Sequence, residues 1–319
     1  MKIFLVALIL PIIALLHANN IDKKKIAYLV TDMNIPFWEI MSRGIKQRAD
    51  LLGYELKIYN AKNSAKRELK LTVEIIKDKV SGIIVSPSNS SACVTILKLA
   101  KNADIPVVIS DVGADSDEYV SYISSNNKKG AYNIGKILSR KLIKFGWSNG
   151  KVGIIAIPQK RLNGQNRTAG FMKALNEHGI KSADIRQLKT WTDDETYNFT
   201  KNMIKSYPKL RAIWLQTSNM YNGAMKAIYD SGKKNDILLI LFDAEPEFIE
   251  LISKGVIVGS GMQQPYLMGE TAMNTMHDYL LDIKVKKNIK LPILPVTTEN
   301  IVKNLPNIKR NVLGYSNEY

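Results

Sequence analysis

Cysteine is almost absent from this chain of 319 residues, in which Cys93 is the only one. A single cysteine excludes an internal disulfide, so burial of apolar side chains has to stabilise the fold. The sequence has enough of them, because 45% of its residues are hydrophobic. Cys93 also lies far from the N-terminal segment, which excludes lipid attachment at a leader cleavage site. We expect it to be a small buried hydrophobe on a helix.

Histidine is nearly as scarce, and the chain contains three. His178 and His277 each lie on a predicted helix, far apart and without metal-ligand spacing around them. The sequence contains no Gly-x-Ser-x-Gly elbow, no phosphate-binding loop and no Gly-x-Gly-x-x-Gly fingerprint. We therefore expect neither an enzyme nor a bound metal or cofactor.

Acidic residues are outnumbered, 29 against 45 lysines and arginines, which gives a formal charge of +16. Such an excess can indicate binding to nucleic acid or to an anionic surface. The lysines, however, are scattered singly or in short groups, such as residues 23–25 and 128–129, without aromatic interleaving. This pattern favours a solvated basic surface and no nucleic-acid partner.

A long apolar run occurs only near the N-terminus, where residues 3–16 follow Lys2. This run is shorter than the ~20 residues of a membrane-spanning helix. Ala18 is suited to precede a cleavage site, so we interpret residues 1–18 as a signal peptide and expect a periplasmic protein. An uncleaved anchor is the alternative, because Leu16 is an indifferent residue three positions before the cut.

The rest of the sequence alternates short β-rich runs with amphipathic stretches at helical spacing. In the first half we predict strands at 26–30, 56–59, 82–87 and 105–109, separated by helices at 37–52, 69–80 and 94–103. After about residue 125 the pattern repeats, with strands at 152–156, 185–188, 212–215, 237–242 and 256–260 and helices at 167–178, 195–206, 222–231 and 246–254. A further helix is predicted at 268–281.

This alternation predicts an α/β fold with two Rossmann-like lobes, each a parallel sheet covered by helices. No long linker separates the half-chains, so several crossing strands should form the hinge between the lobes. We expect residues 24–125 plus about 264–289 to form the N-terminal lobe. Residues 126–263 plus about 290–319 should form the C-terminal lobe.

Open parallel sheets bind ligands beyond the carboxyl ends of their strands. In this sequence those ends carry acids, one arginine, amides, hydroxyls and several aromatic residues. Carboxylates, amides and a guanidinium bind hydroxyl groups, and aromatic faces cover the C–H surface of a sugar. The mixture therefore suits a polyhydroxylated ligand.

Several short motifs at these strand ends occur in a distinctive order and spacing. They are Asn34-Ile35-Pro36-Phe37-Trp38, Ile105-Pro106-Val107-Val108 leading to Asp111, Arg167-x-x-Gly170-Phe171, Leu241-Phe242-Asp243, and Gln263-Gln264-Pro265. With them, the chain resembles the periplasmic sugar-binding proteins of the ribose and galactose type. Their fold, periplasmic binding protein-like I, is shared with the ligand-binding cores of lac-repressor-type regulators. The resemblance covers nearly all of residues 25–302.

The resemblance implies a role for each matching position. Phe37 and Trp38 match an aromatic pair that stacks on the ligand, and Asp111 and Asp243 match two acids that bind sugar hydroxyls from opposite lobes. Arg167 matches a second-lobe arginine. The full set of candidate ligand-binding residues is Asn34, Phe37, Trp38, Asp111, Arg167, Trp191, Thr217, Asn219, Asp243 and Gln263.

The chain departs from the ribose pattern at three places. Val112 stands where an arginine follows the first acid, and Ile35 replaces a polar residue. Thr217 and Ser218 stand where an Asn-Asp pair is expected, with Asn219 one step beyond. The missing polar contacts leave the identity of the solute open.

Purely structural roles are alternatives for several candidates. Asp111 and Asp243 could be ordinary helix caps. Arg167 could pair with an acid on its own lobe, and Trp191 could pack under the helix that follows it. We favour ligand contact for the two acids and for Arg167, because all three lie at the predicted cleft.

We expect a monomeric receptor that closes on a small polar solute, a monosaccharide or related polyol, and delivers it to an ABC importer through its permease. The alternative is a ligand-sensing protein that signals to a membrane histidine kinase or chemoreceptor without transport. A transcription regulator is excluded, because a leader stands where DNA-binding helices are expected.

Overall fold

The strands form two separate sheets in the computed structural model, which describes residues 24–315. The predicted signal peptide at residues 1–18 lies outside this range. Except at residues 121–125, 288–291 and 294–297, where none was predicted, the strands fall at or near the predicted apolar runs. They are β1 Lys25–Val30, β2 Glu55–Asn60, β3 Gly82–Ser86, β4 Val107–Ser110, β5 Ser121–Ser125, β6 Lys151–Ala156, β7 Lys181–Gln187, β8 Leu210–Leu215, β9 Leu238–Phe242, β10 Gly259–Met262, β11 Asn288–Leu291 and β12 Leu294–Thr297.

Each sheet has six strands and the same doubly wound order. The first runs β11-β5-β4-β3-β1-β2 and is parallel throughout. The second runs β12-β10-β9-β8-β6-β7 and is parallel except for the edge strand β12, which is antiparallel to β10. The prediction of two Rossmann-like lobes with parallel sheets is confirmed.

Helices cover both faces of each sheet. They are α1 Pro36–Leu51, α2 Ala65–Lys77, α3 Ser90–Asn102, α4 Asn127–Lys144, α5 Leu162–Glu177, α6 Asp193–Ser206, α7 Tyr221–Asp230, α8 Phe248–Ser253, α9 Pro265–Leu280 and α10 Ile301–Asn307, followed by a π-helical turn at Ile308–Val312. Within the described part of the chain, no helix is long and apolar enough to span a bilayer.

Two differences from the predicted elements affect the cleft. Helix α4 was not predicted, because glycines and lysines interrupt its apolar spacing, yet it packs on the second sheet. Helix α5 begins at Leu162, not at Arg167, so Arg167 lies inside the helix and not at its N-terminus. Arg167 is therefore not part of an anion site at the helix N-terminus. Any contact that it makes with a ligand must come from its own guanidinium.

The chain passes between the two sheets three times within residues 24–315. The crossings lie between β5 and α4, between β10 and α9, and between β11 and β12. Gln264, in the second crossing, donates to the carbonyl of Pro292 in the third at 2.8 Å. In the first crossing, the Asn126 backbone N–H donates to the Leu291 carbonyl beside the third at 2.9 Å. The three segments therefore run side by side and form the multi-strand hinge.

Glycines set the closest helix contacts in both lobes. A Cβ on Gly269 of α9 would lie 2.2 Å from the Met41 carbonyl oxygen of α1, and one on Gly170 of α5 would lie 2.0 Å from the Lys128 carbonyl oxygen of α4. No Cβ fits at these distances, so backbone rests on backbone. The second lobe contains another such pair, since a Cβ on Gly223 of α7 would lie 1.9 Å from the Asp193 carbonyl oxygen of α6.

Replacing Gly170 with alanine should destabilise the second lobe, because the new methyl group has to push α5 away from α4. Overpacking of this kind costs about 1–3 kcal/mol. We expect the Gly170→Ala protein to unfold at a clearly lower temperature than the parent. Lys173→Ala, on the exposed side of the same helix, is the control. Equal melting temperatures for the two variants would contradict the proposed contact.

Candidate functional site

The two predicted acids occupy equivalent positions in the two lobes. Asp111 directly follows β4 and Asp243 directly follows β9, and each has a left-handed backbone with φ of 67°. The backbone N–H of each donates to the next strand, Asp111 to the Ile123 carbonyl and Asp243 to the Gly261 carbonyl, both at 3.0 Å. Neither residue is the N-cap of a helix. The cap alternative is therefore wrong.

Both carboxylates line one cavity between the lobes. Side chains from both lobes contribute to its lining. Nine of the ten predicted site residues line it: Phe37, Trp38, Asp111, Arg167, Trp191, Thr217, Asn219, Asp243 and Gln263. The carboxyl ends of the two sheets thus converge, as the strand-end rule predicts.

Asn34 is the exception. It lies on an exposed turn before α1, where its backbone N–H donates to the Asp32 carboxylate at 3.1 Å, and it is not part of the cavity lining. The helix that begins at Pro36 directs the residues after the turn into the cleft instead. The structure thus gives no support for Asn34 as a ligand residue.

Arg167 is the most fully bonded polar group in the cavity wall. Its side chain is 3% exposed, and Nη1 lies 3.4 Å from Asp243 Oδ2. The same atom donates to the Gln216 carbonyl at 2.7 Å, and Nε donates to Asn127 Oδ1 at 2.8 Å. Arg167 thus pairs with an acid on its own lobe, which was the alternative to ligand contact. Both partners nevertheless also line the cavity.

Aromatic residues enclose the cavity from both lobes. Phe37 and Trp38 of α1 meet edge to face, with ring centroids 6.1 Å apart. Trp191, on the opposite lobe, both lines the cavity and packs against the core of the second sheet. The packing alternative for Trp191 and the ligand role are thus compatible.

Two buried polar atoms on the lining are unsatisfied. Trp38 Nε1 and Gln263 Oε1 have no hydrogen-bond partner among residues 24–315, although their residues are only 4% and 2% exposed. Buried polar atoms are normally paired, because burial without a partner costs ~1–3 kcal/mol. A donor and an acceptor are therefore both available to a polar ligand.

Sequence reasoning missed four polar residues of the lining: Arg161, Asn163, Ser218 and Glu245. Asn163 Nδ2 donates to Asp111 Oδ1 across the lobes at 3.3 Å, and Ser218 donates to Glu245 at 2.7 Å. All four lie at the carboxyl ends of β6, β8 and β9. The strand-end rule was the signal that could have found them.

Burial governs the titration of the cavity acids. It raises the pKa of Asp111 to about 6, while the nearby Arg167 opposes the rise and the charge of Asp243 adds to it. Burial also raises the pKa of Asp243, and the charge of Arg167 and the hydrogen bond from Gln263 partly offset this rise. Burial raises the pKa of Glu245 as well, and the hydrogen bond from Ser218 partly offsets that rise. Hydroxyl donors from a ligand would favour the ionised forms.

A fourth buried acid lies just behind the first lobe's side of the cleft. Glu68 of α2 is fully buried and accepts the backbone N–H of Ser88 at 2.6 Å and its hydroxyl at 2.8 Å. Burial raises the pKa of Glu68 to about 7, and the bonds from Ser88 and the charge of Arg161 only partly offset this.

Glu68 should make the protein less stable as the pH rises. The pKa of Glu68 is higher in the folded than in the unfolded chain, so the folded chain holds the proton more tightly. Folding stability therefore falls as Glu68 loses its proton, between about pH 4.5 and 7. Urea unfolding at pH 5 to 8 should show a smaller loss for Glu68→Gln than for the parent. Glu74→Gln, an exposed change on the same helix, should follow the parent. A Glu68→Gln profile parallel to the parent would refute the shift.

Two sheets with a polar, aromatic-walled cavity at their converging strand ends define a two-lobed binding protein of the hinge-closing class. In residues 24–315, no group of three or more His, Cys, Asp or Glu side chains could hold a metal ion. Residues 26–284 match the family described as the periplasmic binding protein domain. The chain belongs to this family, and the expected periplasmic location agrees with it.

Similar proteins extend over most of the chain. The ribose import binding protein of Escherichia coli strain K12 is 27% identical over 299 residues, covering 91% of this chain and 94% of that protein. The protein of the same name in Bacillus subtilis strain 168 is 27% identical, covering 86% of this chain and 88% of its own. The predicted resemblance to periplasmic sugar-binding proteins is thereby confirmed.

Solved structures share the fold. An ABC transporter periplasmic solute binding protein from Actinobacillus succinogenes with bound D-allose has a TM-score of 0.81 at 24% identity, covering 88% of this chain and 100% of its own. A carbohydrate transporter solute binding protein from Agrobacterium radiobacter in complex with D-arabinose has a TM-score of 0.83 at 21% identity, covering 92% and 99%. The two-lobed architecture is therefore that of known binding proteins.

Proposed function

We propose that this protein binds one small, neutral, polyhydroxylated solute, a monosaccharide or related polyol, between its lobes and delivers it to an ABC importer. One observation carries the proposal. Acids from opposite lobes, Asp111 and Asp243, line the same cavity together with Arg167 and a set of aromatic residues. A solute that touches both acids holds the lobes together.

The chemistry of the wall suits hydroxyl groups better than a charged ligand. Arg167 is already paired with Asp243, and Gln263 Nε2 donates to the other oxygen of that carboxylate at 2.5 Å. The cavity wall therefore carries both positive and negative side chains, and the charge of Arg167 is already paired with that of Asp243. Carboxylates accept from hydroxyls, and the faces of Phe37, Trp38 and Trp191 can cover apolar sugar surface.

The relatives support a sugar, since their names state ribose import and D-allose or D-arabinose binding. They also support an ABC importer as the acceptor. The particular sugar remains a matter for experiment, because Ile35 and Val112 are apolar and Val112 is fully buried.

Binding without turnover is part of the proposal. The relatives are transport proteins by name. We also propose that the protein acts as a monomer and that the boundaries of its lobes lie at the three crossings.

If a sugar binds but is not imported, the alternative is that a membrane histidine kinase or chemoreceptor recognises the closed form.

Loss of either acid should weaken binding. We expect pentoses, hexoses and polyols to include at least one solute that raises the melting temperature of the mature protein. Asp111→Asn and Asp243→Asn should each reduce its affinity about 10- to 100-fold in calorimetric titrations, because hydrogen bonds to charged groups contribute ~1.5–3 kcal/mol. Asp194→Asn, on the exposed start of α6, should bind as the parent does. Unchanged affinity in both site variants would place the ligand elsewhere.

Transport can be measured directly in the source cell. Deleting the gene should abolish uptake of the radiolabelled solute that the purified protein binds, and the intact gene should restore it. A complementing Asp243→Asn gene should restore uptake only at higher solute concentration. Normal uptake in the deletion strain, combined with loss of a transcriptional or chemotactic response, would favour sensing over import.

A further inference from the structure

A loop of the second lobe reaches the first lobe beside the ligand cavity. It joins β6 to α5 and carries Arg161, whose side chain contacts the first lobe. Arg161 is only 4% exposed and also lines the ligand cavity. It was not among the residues predicted from the sequence.

The guanidinium of Arg161 donates to two acceptors on the first lobe. Nε donates to the Ser88 carbonyl at 3.0 Å, and Nη2 donates to Asn63 Oδ1 at 3.3 Å. Ser88 follows β3 and Asn63 follows β2, so both acceptors lie at the carboxyl edge of the first sheet. These bonds exist only when the lobes are closed, because their partners belong to different lobes.

Aromatic faces hold the same group from both sides. The guanidinium carbon lies 5.7 Å from the ring centroid of Trp38, in the first lobe, and 5.2 Å from that of Trp191, in the second. Both distances allow cation–π attraction, which is stronger where water is excluded. Arg161 thus connects the two tryptophans that wall the cavity.

The surroundings of Arg161 reinforce the contact. Next to it, the Leu162 backbone N–H donates to Ser90 Oγ at 3.4 Å, and Asn163 donates to Asp111 at 3.3 Å. Behind Ser88 lies the carboxylate of Glu68, whose charge interacts with that of Arg161. Three successive residues, Arg161 at the end of the loop and Leu162 and Asn163 at the start of α5, therefore bond to the opposite lobe.

We propose that Arg161 is a closure latch: a positioning residue that holds the lobes together beside the ligand cavity and keeps the bound solute from leaving. The proposal rests on the proposed function for the identity of the solute. Because the latch stabilises the closed arrangement, from which a bound solute cannot leave, it acts mainly on the dissociation rate and changes the association rate much less. Arg161 thus sets how long a solute stays bound.

The test is stopped-flow kinetics with the solute that binds best, followed through tryptophan fluorescence. Arg161→Ala should raise the dissociation rate at least about 10-fold and change the association rate less than about 3-fold. Arg161→Lys keeps the charge but not the planar fork, so we expect an intermediate dissociation rate. Arg186→Ala, an exposed arginine of the same lobe that pairs with Asp184, should match the parent in both rates.

Melting of the ligand-free proteins separates a latch from a general structural role. Arg161→Ala should melt within about 2 °C of the parent, because its bonds join two lobes that each keep their own core. An unchanged dissociation rate in Arg161→Ala would overturn the latch. So would a fall in melting temperature of more than about 5 °C, since the kinetic effect would then reflect a damaged lobe.

Failure of the proposed function would look different. If no solute binds the parent protein, the sugar-binding proposal is wrong, and the latch is then judged by small-angle scattering of the ligand-free proteins. The parent should be more compact than Arg161→Ala, because the latch favours the closed arrangement. Identical scattering curves would overturn the latch as well.

Discussion

A buried guanidinium needs hydrogen-bond partners, and the cleft of this protein is organised around one. Arg167 is almost completely buried, yet it finds the Asn127 amide, the Gln216 carbonyl and the Asp243 carboxylate. Its plane also lies 4.0 Å from the ring of Phe242. An unpaired buried charge would cost several kcal/mol, so these elements have to keep their mutual positions.

The same pair connects the ligand site to the hinge. Asn127 is the first residue of α4, just after the first crossing, and Gln263 lies in the second crossing. Both bond directly to the Arg167–Asp243 pair. A solute that forms hydrogen bonds with Asp243 therefore binds a residue that is itself hydrogen-bonded to a hinge segment. This contact physically connects ligand binding to closure of the lobes.

Much of this arrangement was predictable from the sequence, and the reasons for the gaps are specific. Parallel strands buried on both faces produce continuous apolar runs, so the two sheets and the acids after β4 and β9 could be predicted. Helix α4 could not, because Gly130 and Gly135 occupy positions that an apolar side chain would fill. The position of Arg161 at a strand end could be predicted, but its bonds across the lobes could not, since its partners Asn63 and Ser88 come from a lobe that only the folded chain brings near.

The glycine contacts between helices have a mechanical consequence. Where backbone rests on backbone, as at Gly170 against Lys128, there is no side chain between the helices whose rotamer change could absorb a displacement. These helix pairs therefore resist sliding past each other, so the three short crossings are where one lobe can turn against the other. Closure then changes mainly one coordinate, the angle between the two lobes.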